Sequence, residues 1–141
     1  MKNPIRYYAV AAGLAGILLA GCQNSTSDPA AQTIVDKAIA YHGGNAYKHF
    51  QMSFDFRALH YTLERDEEVF RYERIQIDST GAEIRDILTN SEAYRTLNGT
   101  RQTLPDSVMN KYKNSVNSVA YFVLLPYLLN DPAAQKKYVG E

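Results

Sequence analysis

The sequence predicts an α+β domain in which an antiparallel sheet follows one helix and precedes others that pack on one of its faces. Apolar residues recur at helical spacing over residues 29–42, at a period of two over 51–104, and at helical spacing again after Leu104. The segments between the predicted strands are too short for the crossovers that parallel strands need. A chain of 141 residues is long enough for one such domain.

The first predicted helix covers residues 29–42. Asp28 can accept hydrogen bonds from the first unpaired N–H groups, and Pro29 fits the first helical position. Gly43 and Gly44 follow the last apolar residue of the repeat, where a left-handed cap is common. We therefore expect one amphipathic helix with a single face available for packing.

Five antiparallel strands are predicted next. Met52, Phe54 and Phe56 alternate with polar residues, which is typical of a strand with one buried face. Asn98-Gly99 is a strong signal for a two-residue hairpin. The predicted strands cover 51–63, 69–78, 83–88, 93–97 and 100–104.

Helical spacing resumes after Pro105-Asp106. The apolar residues Val108, Tyr112 and Val116 lie three to four positions apart and predict a helix packed against the sheet. Pro126 ends or kinks this helix. The sequence 130–132 (NDP) predicts the start of another short helix, which would end near residue 138.

Residues 1–21 have the layout of an export signal. Lys2 and Arg6 precede an apolar stretch from Tyr7 to Ala20, which is shorter than the ~20 residues that span a bilayer. The sequence 19–22 (LAGC) resembles the lipobox of bacterial lipoproteins. The resemblance implies that Cys22 is retained, carries acyl chains such as palmitate and anchors the chain to a membrane. A plain secretory signal and a membrane-spanning helix are the alternatives.

We therefore expect a signal peptide over 1–21, a lipidated tether over 22–28 and a single domain over 29–141. Basic and acidic residues are equal in number, at 15 each, and form no basic stripe, so nucleic acid is not an expected partner. Cys22 is the only cysteine, which excludes disulfides and cysteine-based metal sites within the chain.

Segments with specific residue patterns occur at 38–44 (AIAYHGG), 52–57 (MSFDFR), 72–74 (YER), 114–119 (NSVNSV), 121–122 (YF), 125–127 (LPY) and 129–132 (LNDP). Together they resemble an uncharacterised lipoprotein family of Bacteroidota. That family is similar in architecture to the LolA/LolB lipoprotein-sorting fold, in which a curved antiparallel sheet, a partial half-barrel, is covered by helices around an apolar cavity. Members of the family are longer, which implies a domain truncated at its C-terminus.

One aromatic and apolar set is expected to meet between the sheet and the helices. The set is either a packed core or the wall of a pocket for a lipid or acyl chain. Its members are Met52, Phe54, Phe56, Phe70, Tyr72, Tyr121 and Phe122.

No catalytic, cofactor or metal site is predicted. The three histidines, His42, His49 and His60, lack the helical spacing of a metal-binding pair, and no nucleophile elbow accompanies His42-Gly43-Gly44. The carboxylates Glu73 and Asp86 and the run 66–68 (DEE) can be drawn as acid/base pairs or a calcium loop, but the run lies in a predicted charged turn and lacks the ligand spacing of a calcium loop. Ser79 and Ser107 lie in Asp-Ser sequences that resemble O-glycosylation sites of Bacteroidota, although turn formation and helix capping account for the same residues.

The leading hypothesis is a non-enzymatic lipoprotein of the outer membrane that binds an apolar ligand or a lipidated partner. The alternative is a structural or interaction lipoprotein whose core is filled and which takes no ligand. The volume left open between sheet and helices should distinguish the two.

Overall fold

A computed structural model describes residues 28–140 and confirms an α+β architecture with an open, fully antiparallel sheet. The predictions for residues 1–27, including lipidation of Cys22, lie outside the described residues. Two short 3-10 helices cover Gly44–Tyr47 and Tyr127–Asn130. The other elements are α1 (Pro29–His42), β1 (His49–Phe56), β2 (Leu59–Asp66), β3 (Val69–Ile77), β4 (Glu83–Thr89), β5 (Ala93–Leu97), β6 (Thr100–Arg101) and α2 (Asp106–Val123).

The six strands follow one another in space in the same order as in the chain. Each strand pairs with the next through a short connection, as the turn lengths predicted. β1 therefore forms one edge of the described sheet, and β6 forms the other.

The prediction of five strands was wrong because the first one is a hairpin. Phe56 pairs with Leu59 across a turn made by Arg57 and Ala58. Neither turn residue is Gly, Asn or Pro, and Arg57 itself takes the positive φ of 59° that the turn requires. The apolar positions do change from even to odd numbers at this turn, from Phe54 and Phe56 to Leu59 and Tyr61, because the chain reverses there.

The C-terminal predictions were also partly wrong. β6 ends at Arg101 instead of extending to Leu104, and the helix expected after residue 130 is absent from the described residues. Asp131 has an extended backbone (φ −56°, ψ 133°), as a residue before proline favours, and its side chain accepts a hydrogen bond from the N–H of Ala133. These local interactions stop the chain from continuing as a helix.

α1 has the predicted bounds. The Oδ1 atom of Asp28 accepts a hydrogen bond from the N–H of Ala30 at 2.8 Å, and Pro29 occupies the first turn. Asp28 also binds the C-terminal segment, because its Oδ2 accepts from the N–H of Tyr138 at 3.1 Å and its own N–H donates to the carbonyl of Lys136 at 3.1 Å. The start of α1 and residues 136–138 are thus held together.

The hydrophobic core lies between α2 and one face of the sheet. Its fully buried members come from the central strands and from one side of the helix, as the two periodicities predicted. None of the described helices combines the length and the apolar character that a membrane span requires. The core residues are Leu63, Tyr72, Leu88, Val116, Ala120 and Leu124.

Candidate binding groove at the edge of the sheet

The apolar side chains of β1 lie along the open edge of the core. Phe54 pairs with Tyr61 and Met52 with Leu63, and the partners on β2 are fully buried whereas the β1 residues are not. α2 contacts β3, β4 and β5 most closely, so it leaves the β1 side of the core partly uncovered. The sheet edge and the helix therefore form the two walls of a depression.

This depression, here called the β1–α2 groove, has a volume of about 400 Å³ and is lined almost entirely by carbon atoms. Phe122 on its helix wall is 77% exposed, and Phe56 on its strand wall is 46% exposed. Large apolar side chains with this much exposure mark a surface that is suited to another apolar group. The lining residues are Phe54, Phe56, Ser118, Val119, Phe122 and Val123.

A second apolar hollow of about 290 Å³ continues the groove toward the start of β1. Its lining includes Phe50 and Met52 of β1 and Ala46 and Tyr47, and Val123 is shared with the β1–α2 groove. Apolar surface therefore accompanies the whole length of β1.

The structure brings only part of the predicted apolar set together. Phe54, Phe56 and Phe122 line the groove, whereas Met52 lies in the adjoining hollow. Tyr72 belongs to the filled core, Phe70 stacks on it with ring centres 4.5 Å apart, and Tyr121 lies outside the groove lining.

Ser118, Val119 and Val123 were not named as site residues from the sequence. Val119 and Val123 continue the helical spacing of Val116, so periodicity alone places them on the side of α2 that faces the sheet. Their role in the groove depends on how far α2 lies from β1, which periodicity does not specify.

A buried ion cluster lies on the same face of the sheet, farther from the edge. The carboxylate of Asp86 accepts from Arg74 Nη2 at 2.5 Å and from Arg95 Nε at 2.7 Å, and Asp86 is 2% exposed. Arg74 also donates to Ser115 Oγ on α2 at 2.7 Å, and the guanidinium of Arg95 lies 3.6 Å from the ring centre of Tyr112. The hydrogen bond with Asp86 raises the pKa of Arg95. This cluster links three strands to α2.

Glu73 and Asp86, considered as an acid/base pair, are not brought together. Asp86 is paired with Arg74, the neighbour of Glu73, and adjacent residues of a strand face opposite sides of the sheet. On that other side Glu73 forms ion pairs with Arg71 and Arg85. Each carboxylate has its own arginines and a structural role.

Histidines occupy the polar face of the β1–β2 hairpin. His49 contacts Asp66 through Nδ1 at 2.8 Å and Glu67 through Nε2 at 3.0 Å, and the hydrogen bond with Asp66 raises the pKa of His49.

His60 contacts Ser53 Oγ through Nε2 at 2.8 Å and Asp55 Oδ1 through Nδ1 at 2.7 Å. The hydrogen-bonded series Ser53–His60–Asp55 has the order of a hydrolase triad. The side chain of Asp55 is 78% exposed, however, and electrostatic stabilisation is weak in such an aqueous environment. We interpret it as a surface hydrogen-bond chain.

The remaining sequence candidates lie on the surface. Ser79 is exposed in the turn after β3, where Asp78 accepts hydrogen bonds from the N–H and the hydroxyl of Thr80, and Ser107 is exposed in the first turn of α2. Over residues 28–140, no group of three or more His, Cys, Asp or Glu side chains is placed to hold a metal ion.

Comparison with known proteins gives one match. A family described as a family of unknown function (DUF6503) matches residues 14–141. No curated protein and no solved structure matches the chain.

Proposed function

Since the chain belongs to the family of unknown function DUF6503, we propose its function from its own surface: a cell-envelope lipoprotein that binds an apolar ligand, a lipid acyl chain or a lipidated partner, in the β1–α2 groove. The observation that carries this proposal is the lining of the groove. Six residues from an edge strand and a helix present apolar surface there, and only Ser118 among them has a polar side chain.

Covering this surface would be favourable. Burial of apolar area contributes about 25 cal/mol per Å², and the two exposed aromatic residues of the groove, Phe56 and Phe122, each have a large ring to cover. The volume of about 400 Å³ falls within the range of about 300–1,000 Å³ that is usual for small-molecule sites. The absence of charged residues from the lining favours a hydrocarbon chain over a polar ligand.

The proposed fold relationship is to the LolA/LolB type, in which a curved sheet and its covering helices enclose a lipid-binding cavity. The open antiparallel sheet with α2 on one face supports this relationship. The proposed location is the outer membrane, with lipidated Cys22 as the anchor, and it rests on the lipobox-like residues 19–22.

A structural or interaction lipoprotein without a ligand is the second candidate. Leu63, Ala120 and Leu124 are at most 1% exposed, so the centre of the sheet–helix interface is filled and the open volume lies at its rim. In this case the groove residues would contact a partner protein and would not accept a free acyl chain.

Titration of the protein with a fluorescent fatty acid separates the two candidates. We expect saturable fluorescence enhancement, and a loss of affinity of about tenfold in Phe122→Ser, since a truncated aromatic contact costs more than 1 kcal/mol. Tyr41→Ser is the matched control, because Tyr41 is also a largely exposed aromatic residue but lies on α1 outside the groove.

Absence of saturable binding, or equal loss in both variants, would exclude the groove as a fatty-acid site. The anchor is tested separately by metabolic labelling with a fatty-acid analogue. Label should be incorporated by the natural chain and lost in Cys22→Ala.

A further inference from the structure

We propose that β1 pairs with β1 of a second copy of the chain, antiparallel and about a two-fold axis near Met52, so that the sheets of two copies become continuous. This inference concerns the main-chain edge of the sheet and goes beyond ligand binding in the β1–α2 groove. It follows from the composition of β1, from the direction of its hydrogen-bonding groups and from the register in which it matches itself.

β1 lacks the features that normally prevent pairing of an edge strand. It has eight residues (HFQMSFDF), which include no lysine, arginine, proline or glycine, and its uninterrupted register with β2 leaves no room for a bulge. The opposite edge is different, because β6 has two residues and one of them is Arg101. β1 is thus the edge of the described sheet that is open to another strand.

The hydrogen-bonding groups of β1 point outward at its odd-numbered residues. The N–H of Glu67 donates to the carbonyl of Lys48 at 2.7 Å, which makes residue 48 a position bonded to β2. Such positions alternate along an antiparallel pair, so the even-numbered residues bond to β2. His49, Gln51, Ser53 and Asp55 therefore direct their N–H and C=O groups away from β2.

These outward positions match those of a second copy when Met52 lies on the axis. His49 then faces Asp55 of the other copy, and Gln51 faces Ser53, with each pair exchanging two main-chain hydrogen bonds. Since the interface is two-fold, both contacts occur twice.

The side chains agree with this register on both faces of the sheet. On the polar face, the single carboxylate of β1 lies opposite its single histidine, so opposite charges meet whenever the histidine is protonated. On the helix side, Phe50 lies opposite Phe54 and Met52 opposite itself, which covers apolar surface of both hollows beside β1. A second copy therefore fits this edge, because the two-fold axis repeats each of these contacts on both strands.

Disulfide trapping tests the register in the whole chain. In a Cys22→Ser background, the introduced thiol is the only one. Met52→Cys should give a disulfide-linked dimer as the main product of mild oxidation, because position 52 would form a non-hydrogen-bonded pair whose Cα atoms lie about 4.5 Å apart, within the range that a disulfide spans. Ser91→Cys, in the exposed turn after β4, should give no disulfide-linked dimer.

A second pair of variants tests the main-chain bonds. Ser53→Pro removes an N–H that points away from β2, and we expect the dimer to be lost while circular dichroism and thermal unfolding stay those of a folded protein. Ser53→Ala keeps the N–H and loses only the contact with His60, so it should remain dimeric.

Two outcomes would overturn the proposal. One is trapping at position 51 or 53 with none at 52, which requires a different register. The other is absence of trapped dimer for Met52→Cys, together with a concentration-independent monomer mass. If Ser53→Pro fails to fold, the trapping result alone decides. Both tests are made without fatty acid, and trapping depends on β1 pairing whether or not the groove binds an acyl chain, so the two proposals can fail separately.

Discussion

Single residues of this protein differ most in how their charges are compensated. Asp86 is buried between two arginines, whereas Asp55 forms a comparable hydrogen bond to His60 in water. Charge pairs at the surface contribute little to stability, but loss of one partner from a buried cluster leaves the other charges without compensation. The two aspartates therefore provide a matched comparison.

Asp86→Ala should lower the free energy of unfolding by about 3–5 kcal/mol, because the buried Arg74 and the partly buried Arg95 would remain without a carboxylate. Asp55→Ala should change it by less than about 1 kcal/mol. Urea denaturation followed by circular dichroism measures both. Similar effects for the two variants would contradict the structural role assigned to the buried cluster.

His49 should make stability depend on pH. Its pKa is raised above 6.5 in the folded protein, mainly by the hydrogen bond with Asp66, so the folded state binds the proton more tightly than the unfolded state. The resulting stabilisation is complete below the unfolded pKa and is lost as the pH rises through the folded pKa.

Thermal melts between about pH 5 and about pH 9 check this expectation. His49→Gln should reduce the fall in melting temperature above the unfolded pKa. His42→Gln, at the end of α1, is the control and should leave that fall unchanged. An identical profile for His49→Gln and the natural chain would exclude His49 as its source.

At the level of elements, the first hairpin shows what the sequence could predict and what it could not. The turn between β1 and β2 and the turn between β5 and β6 are both tight and contain residues at positive φ. In the second of these turns, Asn98 and Gly99 favour this backbone and have φ values of 48° and 80°. Arg57 does not favour it, so only the reversal of apolar parity marked the first turn. Pairing with β2 imposes the turn on an unsuitable residue.

Arg57→Gly should therefore raise the free energy of unfolding by about 0.5–1 kcal/mol, since glycine adopts a φ near 59° without a Cβ clash. Ala58→Gly is the control and should lower stability, because Ala58 has no positive φ and the substitution adds only flexibility to the unfolded chain. Chemical denaturation of the two variants decides, and a destabilised Arg57→Gly would show that the contact of Arg57 with the Phe56 ring outweighs the strain.

The helices also differ in how well the sequence predicted them. α1 was predicted to the residue because its cap, its first-turn proline and its glycines are all local signals. The helix expected after residue 130 was not found, since Asp131 and Pro132 favour a turn and Lys136 folds back to the carbonyl of Leu129. The sequence predicted that the groove residues are apolar. Which apolar residues line the open groove and which lie in the filled core depends on where α2 crosses the sheet.

At the scale of the whole molecule, the two faces of the sheet are stabilised differently. α2 covers one face with a hydrophobic core, while on the other face Glu73 and Ile87 are buried although no described helix lies over them. Long side chains such as Arg71, Arg85 and Tyr94 surround these two residues and shield them from water. The aliphatic parts of charged residues thus replace a second helical layer.

The hydrogen bonds of Asp28 have a consequence for how the molecule loses structure. One carboxylate holds the first turn of α1 and also the N–H of Tyr138, so the described chain is a loop closed without a covalent bond. The pKa of this carboxyl is held below 3.8, chiefly by the Tyr138 N–H, and the closure is lost as the pH falls through that lowered value. A single protonation event then weakens both the first turn of α1 and its link to residue 138, and only the main-chain hydrogen bond from Asp28 to Lys136 still holds the two segments together, so acid should loosen residues 28–30 and 136–138 together instead of one after the other.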